Sequence, residues 1–195
     1  MASNFAKLAN LEFDDAVAKA NAEKQSYSKC QALAWIARFS PNDKVIKCAN
    51  LAVHAAENTN DHYIATYPLS WPIRALLERE KPKAAQENIH KAIEKSWKIT
   101  PQASQSEALF LLLQASIYKN NNLWPAVFEA FMIASIPMQH WRQKRNVRDA
   151  VLMVAKLDPE KANQAIDRLE DEKLLRIINT KKAVNEFCSP RRFFW

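Results

Sequence analysis

The 195-residue chain contains no glycine at all. Glycine supplies the positive φ angles of tight hairpin turns and of loops that wrap around phosphates, so its absence argues against a β-rich fold. The Walker A motif, the dinucleotide-binding fingerprint and the EF-hand loop each require glycine at fixed positions. The sequence therefore excludes these glycine-dependent nucleotide and calcium sites.

Long apolar runs and a cysteine framework are also lacking. No run approaches the roughly 20 apolar residues that span a bilayer, and the start, MASNFAKLANLEFDD, lacks the basic-then-apolar order of a secretory signal. The three cysteines, Cys30, Cys48 and Cys188, are an odd and sparse set. Cys30 and Cys48 differ by roughly 7 Å in their distance from a turn near Pro41, so we expect no disulfide between them. These features predict a cytoplasmic protein with free thiols and no membrane partner.

The positive charge of the chain is unevenly placed. The formal net charge is +7. Residues 1–137 contain 15 Lys and Arg against 13 Asp and Glu, whereas residues 138–195 contain 13 against 8. An anionic partner is therefore expected to act mainly on the C-terminal third.

Two ten-residue stretches of the chain are alike. ALAWIARFSP at 32–41 and AVLMVAKLDP at 150–159 share an apolar run, an alanine, a cation, a large apolar residue, a capping residue and proline. Nearly every segment has the 3.6-residue period of a helix. Turn signals recur every 38–41 residues, near Pro41, Pro82, Asn120 and Pro159. The pattern predicts helical hairpins that stack and share one core, with small residues at their contacts: Ala34, Ala37, Ala52, Ala115 and Ala155.

On these features, residues 27–170 resemble a short α-solenoid of HEAT-like or tetratricopeptide-like repeats. The resemblance implies an all-α fold, a right-handed α-α superhelix of about four to five helical hairpins. Residues 1–188 are then one helical-repeat domain, and 189–195 form a basic-aromatic C-terminal tail. Because such repeats generally serve as binding scaffolds, the resemblance implies a non-enzymatic scaffold for a protein or peptide partner. One HEAT-like family, the alkylpurine DNA glycosylases, binds DNA on a basic concave face, so a nucleic-acid-binding or DNA-repair protein is the alternative.

The stretch MQHWRQKRNVR at 138–148 is the most distinctive on the chain. On a helix its aromatic and basic side chains share about one face, while Val147, Ala150, Val151 and Val154 mark a different face as buried. Arginine grips phosphate in a bidentate manner and tryptophan stacks on bases, so this face suits an anionic partner. The alternative is a solubilising stripe, with the tryptophan packed against a neighbouring repeat. The candidate binding residues are Trp141, Arg142, Lys144, Arg145 and Arg148.

A second candidate surface occupies the one irregular connection, near Pro68 and Pro72. Irregular, aromatic-rich segments on a rigid scaffold often bind partners. The alternative is that these aromatics only repack a kink between repeats. The residues concerned are Tyr63, Tyr67, Trp71 and Arg74.

The C-terminal tail concentrates aromatic and basic residues. Three aromatics exposed to water would favour aggregation, so we expect them to be covered. They either fold back onto the last helix or insert into a partner. The residues are Arg191, Arg192, Phe193, Phe194 and Trp195.

Catalytic and metal-binding patterns are missing from the sequence. The four histidines stand far apart; only His54 and Glu57 share a helix face, whereas a zinc site needs at least three ligands. Cys48 and His54 point to different faces of one helix, so we expect no nucleophilic pair. We therefore predict no catalytic residues, no metal and no cofactor, and leave the oligomeric state open.

Overall fold

The computed structural model describes residues 12–120, 122–136, 140–170 and 172–179. This part of the chain consists of helices joined by turns and contains no β-strand, as the absence of glycine predicts. The helices, in chain order, are α1 Phe13–Asn21, α2 Ser26–Phe39, α3 Val45–Glu57, α4 His62–Thr66, α5 Ser70–Glu78, α6 Pro82–Ser96, α7 Gln102–Ser116, α8 Trp124–Ser135, α9 Trp141–Ala155, α10 Pro159–Ile166 and α11 Glu172–Asn179.

Successive helices pack in pairs, and the pairs pack on one another. α2 contacts α3, α5 contacts α6, α7 contacts α8, and α9 contacts α10. The first helices of these pairs also contact each other in the order α2, α5, α7, α9. α1 lies against α2 and α11 against α9, at the two ends of the series. One apolar core runs through the whole arrangement, from Ala16 in α1 to Leu169 after α10.

The first helices of the first two pairs, α2 and α5, run in the same direction. At the N-terminal ends of α2 and α5, the Cys30 thiol donates to the Pro68 carbonyl at 3.5 Å. At their C-terminal ends, the Arg38 Nε lies 2.5 Å from a carboxylate oxygen of Glu78. Helices that meet start to start and end to end are parallel, so the N-terminal ends of these two first helices share one edge.

Contacts between neighbouring pairs recur at the spacing of the predicted turns. Polar contacts join residues 38 to 41 positions apart, close to the 38–41 residues between turn signals. Residues one period apart are therefore neighbours in space. Such contacts include Cys30 with Pro68, Arg38 with Glu78, Glu57 with Lys95, Glu80 with Lys119, and Glu129 with Arg168.

Small residues and free thiols occupy the interior. Ala34, Ala37, Ala52 and Ala115 are fully buried, which confirms the prediction for these four, whereas Ala155 is half-buried. Cys30 and Cys48 are buried and free, as predicted. Burial raises the pKa of both thiols, that of Cys48 to about 12, so they lie in the core in the protonated form. Cys188 lies outside the described residues.

Two turns contain a residue in the left-handed region, although neither residue is glycine. Glu80 has φ 57° and Lys119 has φ 56°, and the two stand 39 residues apart. After α5, the Lys81 N–H donates to Leu76 and the Glu80 N–H to Leu77, which places Glu80 at the left-handed position of a Schellman motif. In the turn that follows α7, the left-handed residue is Lys119.

Glycine at position 80 should stabilise the protein. Glu80→Gly removes the Cβ that disfavours a positive φ and gives up only an exposed ion pair with Lys119. We expect the free energy of unfolding, measured in urea, to rise by about 1 kcal/mol. Glu87→Gly, on the exposed face of α6, serves as the control and should lower it by about 1 kcal/mol. Equal losses in both variants would contradict the left-handed assignment.

A cluster of charged and aromatic side chains closes the edge where the first helices end. The Glu78 carboxylate bridges Arg38 at 2.5 Å and Arg74 at 2.8 Å. The three side chains are only 14–21% exposed. Arg38 lies 4.7 Å from the ring centroid of Trp35, and Arg74 lies 3.9 Å from that of Tyr118. The cluster therefore links α2, α5 and the turn that follows α7.

Removal of the bridging charge should cost much stability. In Glu78→Gln two largely buried guanidinium groups lose their shared counter-charge, so we expect the free energy of unfolding to fall by about 2–3 kcal/mol. Glu129→Gln is the control, because its pair with Arg168 is exposed and should contribute less than about 1 kcal/mol. Chemical denaturation measures both. If the two variants behave alike, the cluster does not hold this edge together.

Candidate functional site

The N-terminal end of α9 is held by its own cap. The His140 Nδ1 accepts a hydrogen bond from the Arg142 backbone N–H at 3.2 Å. In return, the Gln143 side-chain oxygen accepts one from the His140 backbone N–H at 3.1 Å. This reciprocal arrangement is a capping box. It fixes the backbone from which the side chains of residues 141–145 project.

Trp141 is the most exposed large apolar residue in the described part of the chain. Its side chain is 61% exposed, so its ring is not buried against a neighbouring helix. The guanidinium groups of Arg142 and Arg145 each lie 5.5 Å from its ring centroid, and the His140 ring lies 5.7 Å away. The indole is thus exposed to solvent between two cations and a second ring.

The remaining cations of the basic stretch differ in their surroundings. Lys144 is exposed. Arg148 is half-buried, and its Nε and Nη2 both donate to one oxygen of Asp149, at 2.9 and 2.8 Å. The buried face of α9 contains Val147, Ala150, Val151 and Val154, as predicted. The positive charge that faces solvent is therefore concentrated around Trp141 rather than along the whole helix.

The second candidate surface divides into two parts. Tyr63 and Tyr67 stack with ring centroids 4.9 Å apart and are half-buried. Trp71 meets Tyr67 edge-on at 5.9 Å but is buried, so it belongs to the core. Arg74 is held by Glu78 and Tyr118 at the opposite edge. Of the four residues, Tyr63 and Tyr67 therefore stay part of the candidate surface, whereas Trp71 and Arg74 do not.

Helix contacts bring the two candidate surfaces together, because α2 contacts the turn Tyr67–Leu69 and α7 contacts both α4 and α9. Burial raises the pKa of the Tyr63 phenol; the charge of Glu107 and a hydrogen bond to it raise that pKa further, and the positive charge of Arg142 opposes this. Burial likewise raises the pKa of Tyr67, with smaller contributions from Tyr27 and Cys30. Arg142 therefore lies close to Tyr63, and Tyr27 lies close to Tyr67.

One surface results, along the edge where α2, α4, α7 and α9 begin. Sequence reasoning missed Tyr27 and Glu107, although positions 27, 67 and 107 are each 40 residues apart. Glu107 lies in the second turn of α7, which begins at Gln102, and it faces Tyr63. We call this surface the aromatic–basic edge and define it as Tyr27, Tyr63, Tyr67, Trp141, Arg142 and Arg145.

A polar cleft of about 460 Å³ opens at the start of α2. Its lining includes Lys24, Lys29 and His54, together with neutral polar side chains, and contains no acidic residue. Ser26 also lines it, and Tyr27 of the aromatic–basic edge is the next residue on the same helical turn. The cleft therefore adjoins one end of the edge.

The tail residues 191–195 lie outside the described residues. Within the described ranges, no group of three or more His, Cys, Asp or Glu side chains could hold a metal ion. No helix in that part of the chain is both long and apolar enough to cross a bilayer.

Comparison with protein-family models, with curated proteins and with solved structures finds no match to this chain.

The cap of α9 can be tested by mutation. His140→Ala removes the acceptor for the Arg142 N–H, so we expect thermal and urea denaturation to show a loss of about 1 kcal/mol. His140→Asn places an amide oxygen at the same position and should retain most of the stability. A loss of the same size in both variants would mean that the imidazole acts through packing and not as a cap.

Proposed function

We propose that this chain is a short α-solenoid, a right-handed α-α superhelix of HEAT-like or tetratricopeptide-like hairpins, that acts as a non-enzymatic scaffold for a protein or peptide partner. Support for the architecture comes from the direction of the first helices and from contacts that recur 38 to 41 residues apart. Each pair covers the apolar face of the next, which is how repeat proteins build a core.

The observation that carries the binding function is the exposure of Trp141 between two arginines. Tryptophan, tyrosine and arginine are the residues enriched at the energetic centres of protein interfaces. All six residues of the aromatic–basic edge belong to these three types. Their positions on helix starts of a rigid scaffold reduce the entropy that a partner must overcome on binding.

Nucleic acid is the second candidate partner, because an exposed tryptophan beside arginines also suits a stacked base and a phosphate. Two observations make it the weaker one. Arg148 is paired with Asp149, which lowers the number of cations available to phosphates. Glu107 places a carboxylate beside Tyr63, near the middle of the edge. A continuous phosphate backbone would be repelled there.

Peptide selection tests the proposed function. We would select a phage-displayed library of random dodecapeptides against the full chain and measure the affinity of enriched synthetic peptides by fluorescence anisotropy. We expect Trp141→Ala to weaken binding at least tenfold. Trp97→Ala is the matched control, because Trp97 is 47% exposed and lies beyond α6, outside the edge; it should leave the affinity unchanged.

Two outcomes would refute this function. The first is that no peptide is enriched, or that enriched peptides bind equally well to wild type and to Trp141→Ala. The second is that a twenty-residue single-stranded oligothymidylate binds more tightly than any peptide at 150 mM salt and is released by Arg142→Glu with Arg145→Glu. That result would favour the nucleic-acid alternative.

A further inference from the structure

Positive charge stands at the α9 end of the aromatic–basic edge without an acidic counterpart. Arg142 and Arg145 are exposed, and within the described ranges neither forms an ion pair with a carboxylate. Their guanidinium groups lie on either side of the exposed indole. A carboxylate that approaches Trp141 would therefore gain charge-assisted hydrogen bonds from one or both arginines.

Positive charge also stands at the α2 end. The cleft beside Tyr27 is lined by Lys24, Lys29 and His54, and no acidic residue lines it. Ser26 and Lys29 are three residues apart on α2, so they share one helix face, and Tyr27 projects from the same turn about 100° around the helix. Lys29 in the cleft is therefore within one helical turn of Tyr27.

The centre of the edge has a different character. Tyr63 and Tyr67 present stacked rings, and the carboxylate of Glu107 adjoins Tyr63. An acidic side chain placed here would meet a like charge, whereas an apolar or neutral polar side chain would pack on the rings. The edge and the adjoining cleft thus have basic residues at both ends, and aromatic residues with one carboxylate at the centre.

We infer that the aromatic–basic edge and the adjoining cleft bind an extended protein segment with acidic residues at both ends and uncharged residues at its centre. This inference rests on the proposed function and names its partner. Four first helices about 10 Å apart span at most about 30 Å, which corresponds to about nine residues of extended chain. The acidic residues of the partner are therefore expected about that far apart. Each end of the segment pairs with one cationic group, and its centre lies on the tyrosines.

The same dodecapeptide library tests the inference, because it contains acidic and basic residues without bias. Selected peptides should have an average net charge of −3 or lower, with aspartate and glutamate concentrated in the outer thirds. When the double variant Arg142→Glu, Arg145→Glu is the target of the selection, the enriched peptides should have lysine or arginine in place of the acidic residues at one end. Selection against Lys24→Glu with Lys29→Glu should do the same at the other end.

A matched control separates specific pairing from net charge. Lys47→Glu with Lys91→Glu changes the net charge by the same amount at exposed positions on α3 and α6, and it should leave the selected sequences and their affinities unchanged. Each charge reversal at the edge should weaken the peptides selected on wild type at least tenfold. Thermal melting of all variants confirms that they remain folded.

The outcomes distinguish this inference from the proposed function. Enriched peptides that are neutral or basic, but still depend on Trp141, would overturn the acidic partner and leave the scaffold function intact. The inference would also be overturned if the Lys47→Glu with Lys91→Glu variant weakened the binding of acidic peptides as much as the charge reversals at the edge, since net charge alone would then explain binding. Peptides that ignore Trp141 altogether would overturn both.

Discussion

One apolar core runs through the described helical pairs, and each pair packs against the next, so the rest of the described structure depends on these contacts between pairs. Several polar contacts between neighbouring pairs join residues 39 to 41 positions apart. Because α2 and α5 are parallel, the starts of these two helices lie at one edge and their ends at the other. The contacts between pairs thus decide which distant residues become neighbours.

The two edges are used differently. At the helix ends, Glu78 joins two arginines, each of which also lies over an aromatic ring, and the resulting cluster is largely buried. At the helix starts, the same residue types remain open, with Trp141 mostly exposed. Charges that are satisfied within the protein stabilise the packing of neighbouring pairs. The charges beside the exposed ring at the starts are the ones for which we propose a partner.

Much of the fold follows from the sequence, because prolines and helical periodicity act locally. The turns near Pro41 and Pro82 and the buried face of α9 agree with the structure for this reason. Contacts between side chains of different helical pairs could not be predicted from local sequence patterns. The two candidate surfaces were predicted as separate, because only the helix order shows that Arg142 lies beside Tyr63. The His140–Gln143 cap was also missed, since histidine is an uncommon capping residue.

The absence of glycine connects these observations. Without glycine, the left-handed positions of two successive turns fall to Glu80 and Lys119, one period apart. These charged residues then meet across the pairs at 3.2 Å. The positive φ angles of Glu80 and Lys119 are unfavourable for residues with a Cβ. The ion pair between them forms where the two turns approach each other. The same absence leaves the aromatic–basic edge without the conformational freedom that glycine gives a backbone. Under the proposed function, selectivity at this edge comes from the order of charges along it.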